Sequence, residues 1–143
     1  AQFDKNGNLQ NWWQESDYLI FQQKCQEVVR LYNGLDIAPG AVVNGNLTVS
    51  ENVADIGAMA CILDIAAGMP NANYKELFES NARIWRMTAT NQMYQLLATQ
   101  DVHAPNKFRV NQVVRNFQVF YDTYNIGPDD PMYLAPDQRV VIW

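Results

Sequence analysis

Histidine is almost missing from this sequence. There is one, His103, together with two cysteines, Cys25 and Cys61, in 143 residues. A structural zinc site takes four Cys or His ligands, so these three residues cannot build one alone. The cysteines lie outside any CxxC spacing, each within a helical-looking stretch, and read as two buried free thiols, with a mild preference for a compartment that needs no disulfide framework. No apolar run approaches the roughly 20 residues of a membrane-spanning helix, and no basic, then apolar leader opens the chain. Basic residues are few as well: ten Lys and Arg against fifteen Asp and Glu, scattered rather than clustered, give no footprint for a phosphate backbone. Nucleic acid is therefore not an expected partner. Internal repeats, low-complexity tracts and flexible linkers are also lacking.

What is present is apolar patterning. A hydrophobic content of 48% in a chain of this length suffices for the core of one domain or a piece of one. The chain opens at Ala1 on a polar stretch that reads as the middle of a longer protein, with a tight turn at Lys5-Asn6-Gly7-Asn8. A first helix is expected from Glu15, capped by Ser16 or Asp17 and stopped by Asn33-Gly34. Pro39-Gly40 and Asn44-Gly45 around short apolar pairs suggest loops or a small hairpin over 36–47. Further helices are expected over 50–67, 74–89, 92–98 and 107–124, with Val53, Ile56, Gly57, Ala60 and Leu63 sharing one face of the second. The last residues, Val140-Val141-Ile142-Trp143, are too apolar to be left in water and should be pinned into a core. The fold class is mainly α.

Few residues can carry chemistry. Glu51 and Asp55 stand four apart on the second helix, so both carboxylates share a face. They can serve one site, but Thr48-Val49-Ser50-Glu51 also fits a capping box, in which Glu51 only reaches back to a backbone N–H. His103, in Asp101-Val102-His103-Ala104-Pro105, falls on a loop where Pro105 holds Ala104 extended; it is either a solvated side chain or one facing a cleft. Arg109, early in the fifth helix, is unfavourable for the helix dipole, which asks for another reason to be there, such as holding a carboxylate or a carbonyl oxygen. Trp85 with Ile84, and the tandem Trp12-Trp13, are explained by aromatic burial alone.

Four stretches, in order, resemble the neprilysin and endothelin-converting-enzyme family of zinc metallopeptidases. They are Asp4-Lys5-Asn6-Gly7-Asn8-Leu9 with Asn11-Trp12-Trp13; Asn44-Gly45 through Ser50-Glu51-Asn52-Val53-Ala54-Asp55; Asp101-Val102-His103-Ala104-Pro105 with Phe108-Arg109-Val110; and the terminal Trp143. The second and third together are far more specific than either alone. The resemblance spans the whole chain. It implies the helical C-terminal subdomain, residues 1–143, of a thermolysin-like (zincin) catalytic domain whose HExxH helix, bearing two histidine ligands and the general base, is not in this sequence. It also implies a parent protein that is a zinc endopeptidase acting on oligopeptides.

By the same resemblance Glu51 corresponds to the third zinc ligand and Asp55 to the carboxylate behind a zinc-bound histidine. His103 corresponds to the donor that stabilises the oxyanion, with Asp101 orienting its ring. Arg109 corresponds to the group that binds a substrate carbonyl, and Ile84 and Trp85 to the pocket for the residue after the scissile bond. The partners implied are a peptide substrate and the N-terminal portion of the same protein. The chain alone is then expected neither to retain zinc nor to cleave peptides, and, with the face bearing Glu51 and Val53 uncovered, to self-associate or to be locally disordered. Secreted animal members have a cysteine near the C-terminus where this chain reads Arg139-Val140-Val141-Ile142-Trp143, which leaves Cys25 without that partner and favours a bacterial oligopeptidase over an animal ectoenzyme, with the cytoplasm the favoured location and the cell surface or secretion the alternatives. A non-catalytic binding or scaffold module with a peptidase-like fold is the competing expectation.

Overall fold

The computed structural model describes residues 3–142. Trp143 lies outside the described residues. The chain runs through α1 (Glu15–Tyr32), a hairpin of β1 (Asp36–Ala38) and β2 (Ala41–Val42), then α2 (Gly45–Ala67), α3 (Tyr74–Ile84), α4 (Asn91–Gln100), α5 (Asn106–Val114) and α6 (Gln118–Tyr124), with a 3-10 turn at Pro136–Gln138. The mainly α expectation holds. Helices α1, α2 and α5 pack on one another, and α3 packs on α6. Val28, Tyr32, Val53, Ile56, Met59, Phe108, Val113 and Phe120 are among the side chains that fill the core between them.

The opening turn is tighter than its tetrapeptide suggested. The Asp4 carboxylate accepts from the backbone N–H groups of Asn6 and Asn8, and Gly7 takes a φ of +82° that other residues resist. Helix α1 ends at Tyr32, as the Asn33-Gly34 signal indicated, but its N-cap is Gln14 with no side-chain cap; Asp17 sits inside the first turn, where it favours the dipole.

Helix α2 begins five residues earlier than the sequence suggested. Asn44 is its cap, accepting from the N–H groups of Asn46 and Leu47. A Cβ at Gly45 would stand 2.5 Å from the Val29 carbonyl oxygen, so only glycine lets the start of α2 cross the end of α1 here. Thr48 is therefore within the helix, where its hydroxyl donates to the Asn44 carbonyl and accepts from the Asn52 amide. The capping-box reading of Glu51 is excluded, because Thr48 is not the cap. Val53 is buried, not uncovered beside Glu51; the large aliphatic side chains that α2 exposes are Ile62 and Ile65.

Two later helices are shorter than expected. Helix α3 stops at Ile84, because Trp85 leaves helical geometry. The single helix expected over 107–124 breaks at residues 115–117, where the Asn116 side chain donates to the carbonyls of Gln112 and Val113 and so takes over the end of α5. Its Oδ1 accepts from the Val140 N–H. Val140 and Ile142 are buried while Val141 points outward with its carbonyl bonded by the Lys24 ammonium, so the tail is pinned as expected. Both cysteines are free. Cys25 is half-buried, which pushes its thiol pKa up, whereas Cys61 lies on the outer side of α2 and is exposed, against the expectation of two buried thiols. Of the tandem tryptophans, Trp13 stacks on Phe21 at 5.2 Å, but Trp12 stays half-exposed, stacked on Trp13 with its indole N–H on the Phe3 carbonyl.

Candidate active site

Because α2 starts at Gly45, Glu51 and Asp55 both fall well inside a long helix, and each meets a different partner. The loop between α4 and α5 brings His103 to Glu51, with Nε2 3.2 Å from the Glu51 carboxylate. Asp101 holds the ring from the other side: its Oδ1 lies 2.8 Å from Nδ1 and also accepts the His103 backbone N–H at 2.9 Å. An ionised carboxylate only accepts, so Nδ1 carries the hydrogen toward Asp101 and Nε2 is the nitrogen presented to Glu51. The backbone N–H of His103, with help from the ring, holds the Asp101 carboxyl below its ordinary pKa. Glu51 and His103 stay 36% and 41% exposed, so this pair faces solvent.

Asp55 and Arg109 form the second pair, which is drier, at 16% and 14% exposure. Arg109 donates from Nε and Nη2 to the two Asp55 oxygens at 2.7 and 2.8 Å, a bidentate fork that pushes its pKa up. Its guanidinium lies 3.8 Å above the Trp85 ring. That stack accounts for both an arginine in the first turn of α5 and the end of α3 at Trp85. Nη1 has no protein partner among the described residues and remains available as a donor.

Beneath these pairs lies a polar layer that sequence reading missed. Tyr32 is fully buried at the end of α1; burial, then the Asp55 charge, pushes its pKa well up, so it stays neutral. Its hydroxyl and the Asn52 Oδ1 are buried without hydrogen-bond partners among the described residues. The spacing of Thr48 and Asn52 within an apolar helix was the available signal for this layer. Nothing in the sequence singled out Tyr32. Ile84, in contrast, is 75% exposed and does not line the cavity on which Trp85 opens.

Among the described residues no three His, Cys, Asp or Glu side chains form a group that could hold a metal ion. A catalytic zinc takes three protein ligands, so Glu51 fits as one donor at most and the others would have to come from outside this chain.

The model of peptidase family M13 matches residues 1–140. The chain belongs to this family. As an M13 member it is 42% identical, over its whole length, to the neutral endopeptidase of Lactococcus lactis subsp. lactis strain IL1403, of which it covers 23%. It is 29% identical to the human endothelin-converting enzyme-like 1, again over all of this chain and 20% of that protein. Among solved structures, PepO of Lactobacillus rhamnosis HN001 superposes with a TM-score of 0.94 at 38% identity, covering all of this chain and 23% of PepO. The inhibitor complex of the zinc metalloprotease Zmp1 of Mycobacterium tuberculosis gives 0.85 at 31% identity, with 24% of that chain covered. This M13 chain thus spans less than a quarter of the length of these relatives.

Proposed function

We propose that the parent protein of this M13 chain is a zinc-dependent endopeptidase hydrolysing oligopeptides, and that residues 1–143 are the C-terminal part of its catalytic domain. The observation that carries the reading is the convergence of Glu51–His103 and Asp55–Arg109 on one face built by α2 and α5. Zinc, when bound, polarises the scissile carbonyl and activates water. Glu51 supplies one carboxylate ligand. Asp55 fixes a ligating histidine, since each of its oxygens keeps a second lone pair beside the Arg109 fork. His103, held by Asp101, turns Nε2 toward the oxyanion, and Arg109 donates from Nη1 to a peptide carbonyl. Trp85 walls the pocket for the residue after the scissile bond, whereas the exposed Ile84 does not line it. The isolated chain is inactive and associates through its exposed apolar side chains.

Calorimetric zinc titration of this chain and of the full-length protein, with peptidase activity followed in parallel, tests the reading. Zinc binding and activity are expected only in the full-length protein, and both are expected to fall to background in its Glu51→Ala variant. A full-length protein that binds no zinc would hand the function to a non-catalytic scaffold.

A further inference from the structure

A cavity of about 620 Å³ opens between the end of α1, the end of α5 and the 3-10 turn at Pro136–Gln138, and it shares no lining residue with the one beside Trp85. That volume is ordinary for a small-molecule site, roughly 300–1,000 Å³. Arg30, Arg115 and Arg139 line it, and none of the three pairs with a carboxylate among the described residues. Arg115 and Arg139 donate only to carbonyl and amide oxygens, which hold each guanidinium in place without cancelling its charge. The Arg30 side chain has no hydrogen-bond partner among the described residues. Gln112, in the last turn of α5, lines the same cavity at 5% exposure. Its Oε1 accepts from Arg115 Nη1 at 3.0 Å, which fixes the orientation of the amide and leaves Nε2 as a donor with no partner among the described residues.

Glu27 and Asp137 line the cavity too, and neither forms an ion pair among the described residues. Charges of both signs therefore share one concavity without closing on each other, beside apolar surface from Leu31, Leu35 and Leu134. An inorganic anion would suit the arginines and be repelled by the two carboxylates. An apolar ligand would desolvate all of these charges and pair none of them. A small zwitterion with an apolar group meets each set with its complement. We propose that the cavity binds a free amino acid or a dipeptide in zwitterionic form. Its carboxylate lies on the three arginines and Gln112 Nε2, its ammonium on Glu27 and Asp137, and its apolar side chain against the leucines. Glu51, Asp55, His103 and Arg109 do not line the cavity, so binding here is independent of the peptidase reading.

Calorimetric titration of the full-length protein with leucine and with leucyl-leucine tests this, and the tighter of the two identifies the occupant. The N-acetylated form of that ligand lacks the ammonium, and its C-terminal amide lacks the carboxylate. Each is expected to bind about tenfold more weakly, the worth of one charge-assisted hydrogen bond. The Glu27→Gln/Asp137→Asn variant should bind the parent ligand about fivefold more weakly and the N-acetylated form no differently. Arg30→Gln should weaken the parent ligand about threefold and leave the amide unchanged, as solvent-exposed ion pairs allow. Thermal melting of both variants confirms folding. No saturable heat with either ligand up to about 10 mM overturns the site. So does an affinity that survives both variants, because the ligand then binds elsewhere. Inorganic phosphate binding as tightly as the parent ligand would replace the zwitterion with a plain anion and overturn the proposal as well.

Discussion

The face formed by α2 and α5 and the end of the chain around α6 both rest on arginine, and they use it in opposite ways. At the tail, Arg115 donates to the carbonyls of Met132 and Tyr133, while Arg139 stacks 3.9 Å over Tyr121 and bonds the Leu134 carbonyl and the Gln118 amide. Every acceptor there is neutral. Asn116 and the Tyr121 hydroxyl complete the same network, each joining backbone groups of separate segments. On the α2–α5 face the acceptors are carboxylates, the stacked ring belongs to Trp85, and Glu51 and His103 are left half in water. The tail closes a structure from within, its two arginines tying neighbouring segments together through neutral acceptors. The α2–α5 face keeps charge and, among the described residues, an unbonded Arg109 nitrogen and unpartnered polar atoms beneath.

Asp55→Ala should separate the two regions most strongly. It leaves the Arg109 guanidinium in a mostly buried position with no anion, and breaking such a pair costs on the order of 3 kcal/mol, part of which the Trp85 stack retains. Urea unfolding followed by tryptophan fluorescence measures it. Asn116→Ala is the matched cut at the tail: it strips the Val140 N–H and the α5 carbonyls of their partner without stranding a charge, at about 2 kcal/mol. A larger loss at Asn116 than at Asp55 would reverse the comparison, making the tail network the dominant support and the Asp55–Arg109 pair dispensable to folding.

How much of this was readable in the sequence divides along the same line. The side chains that pair on the α2–α5 face come from short motifs whose residues stay close in sequence, Glu51 to Asp55 and Asp101 to Arg109, and the family resemblance rests on the same motifs. Helix existence was legible from apolar spacing too. Boundaries failed wherever a polar side chain outranked periodicity. Asn44 moved the start of α2 back past the Thr48 signal, and Asn116 broke a helix whose apolar pattern continues to Tyr124, because in each case local side-chain-to-backbone hydrogen bonds, and not the apolar period, set the boundary. Trp85 ended α3 for a tertiary reason, the Arg109 stack, with its partner 24 residues away.

The smallest effect concerns Asp101 and tests whether the His103 side of the α2–α5 face is held as firmly as the Arg109 side. Its carboxyl lies below the ordinary 3.8, first through the His103 backbone N–H and then through the ring. A depressed carboxyl contributes stability in full above its unfolded value, and that contribution is lost as the pH falls from about 4 through the lower folded value. Asp101→Asn can still accept the backbone N–H but does not titrate. The stability difference between wild type and this variant should therefore be flat from neutral pH down to about 4 and shrink below it, by less than about 1 kcal/mol because the group is a third exposed. The difference cancels the titration of other carboxyls, Asp4 included. A difference that stayed constant to about pH 2 would mean that Asp101 is not holding the His103 loop as an anion, and that ring orientation rests on Glu51 alone.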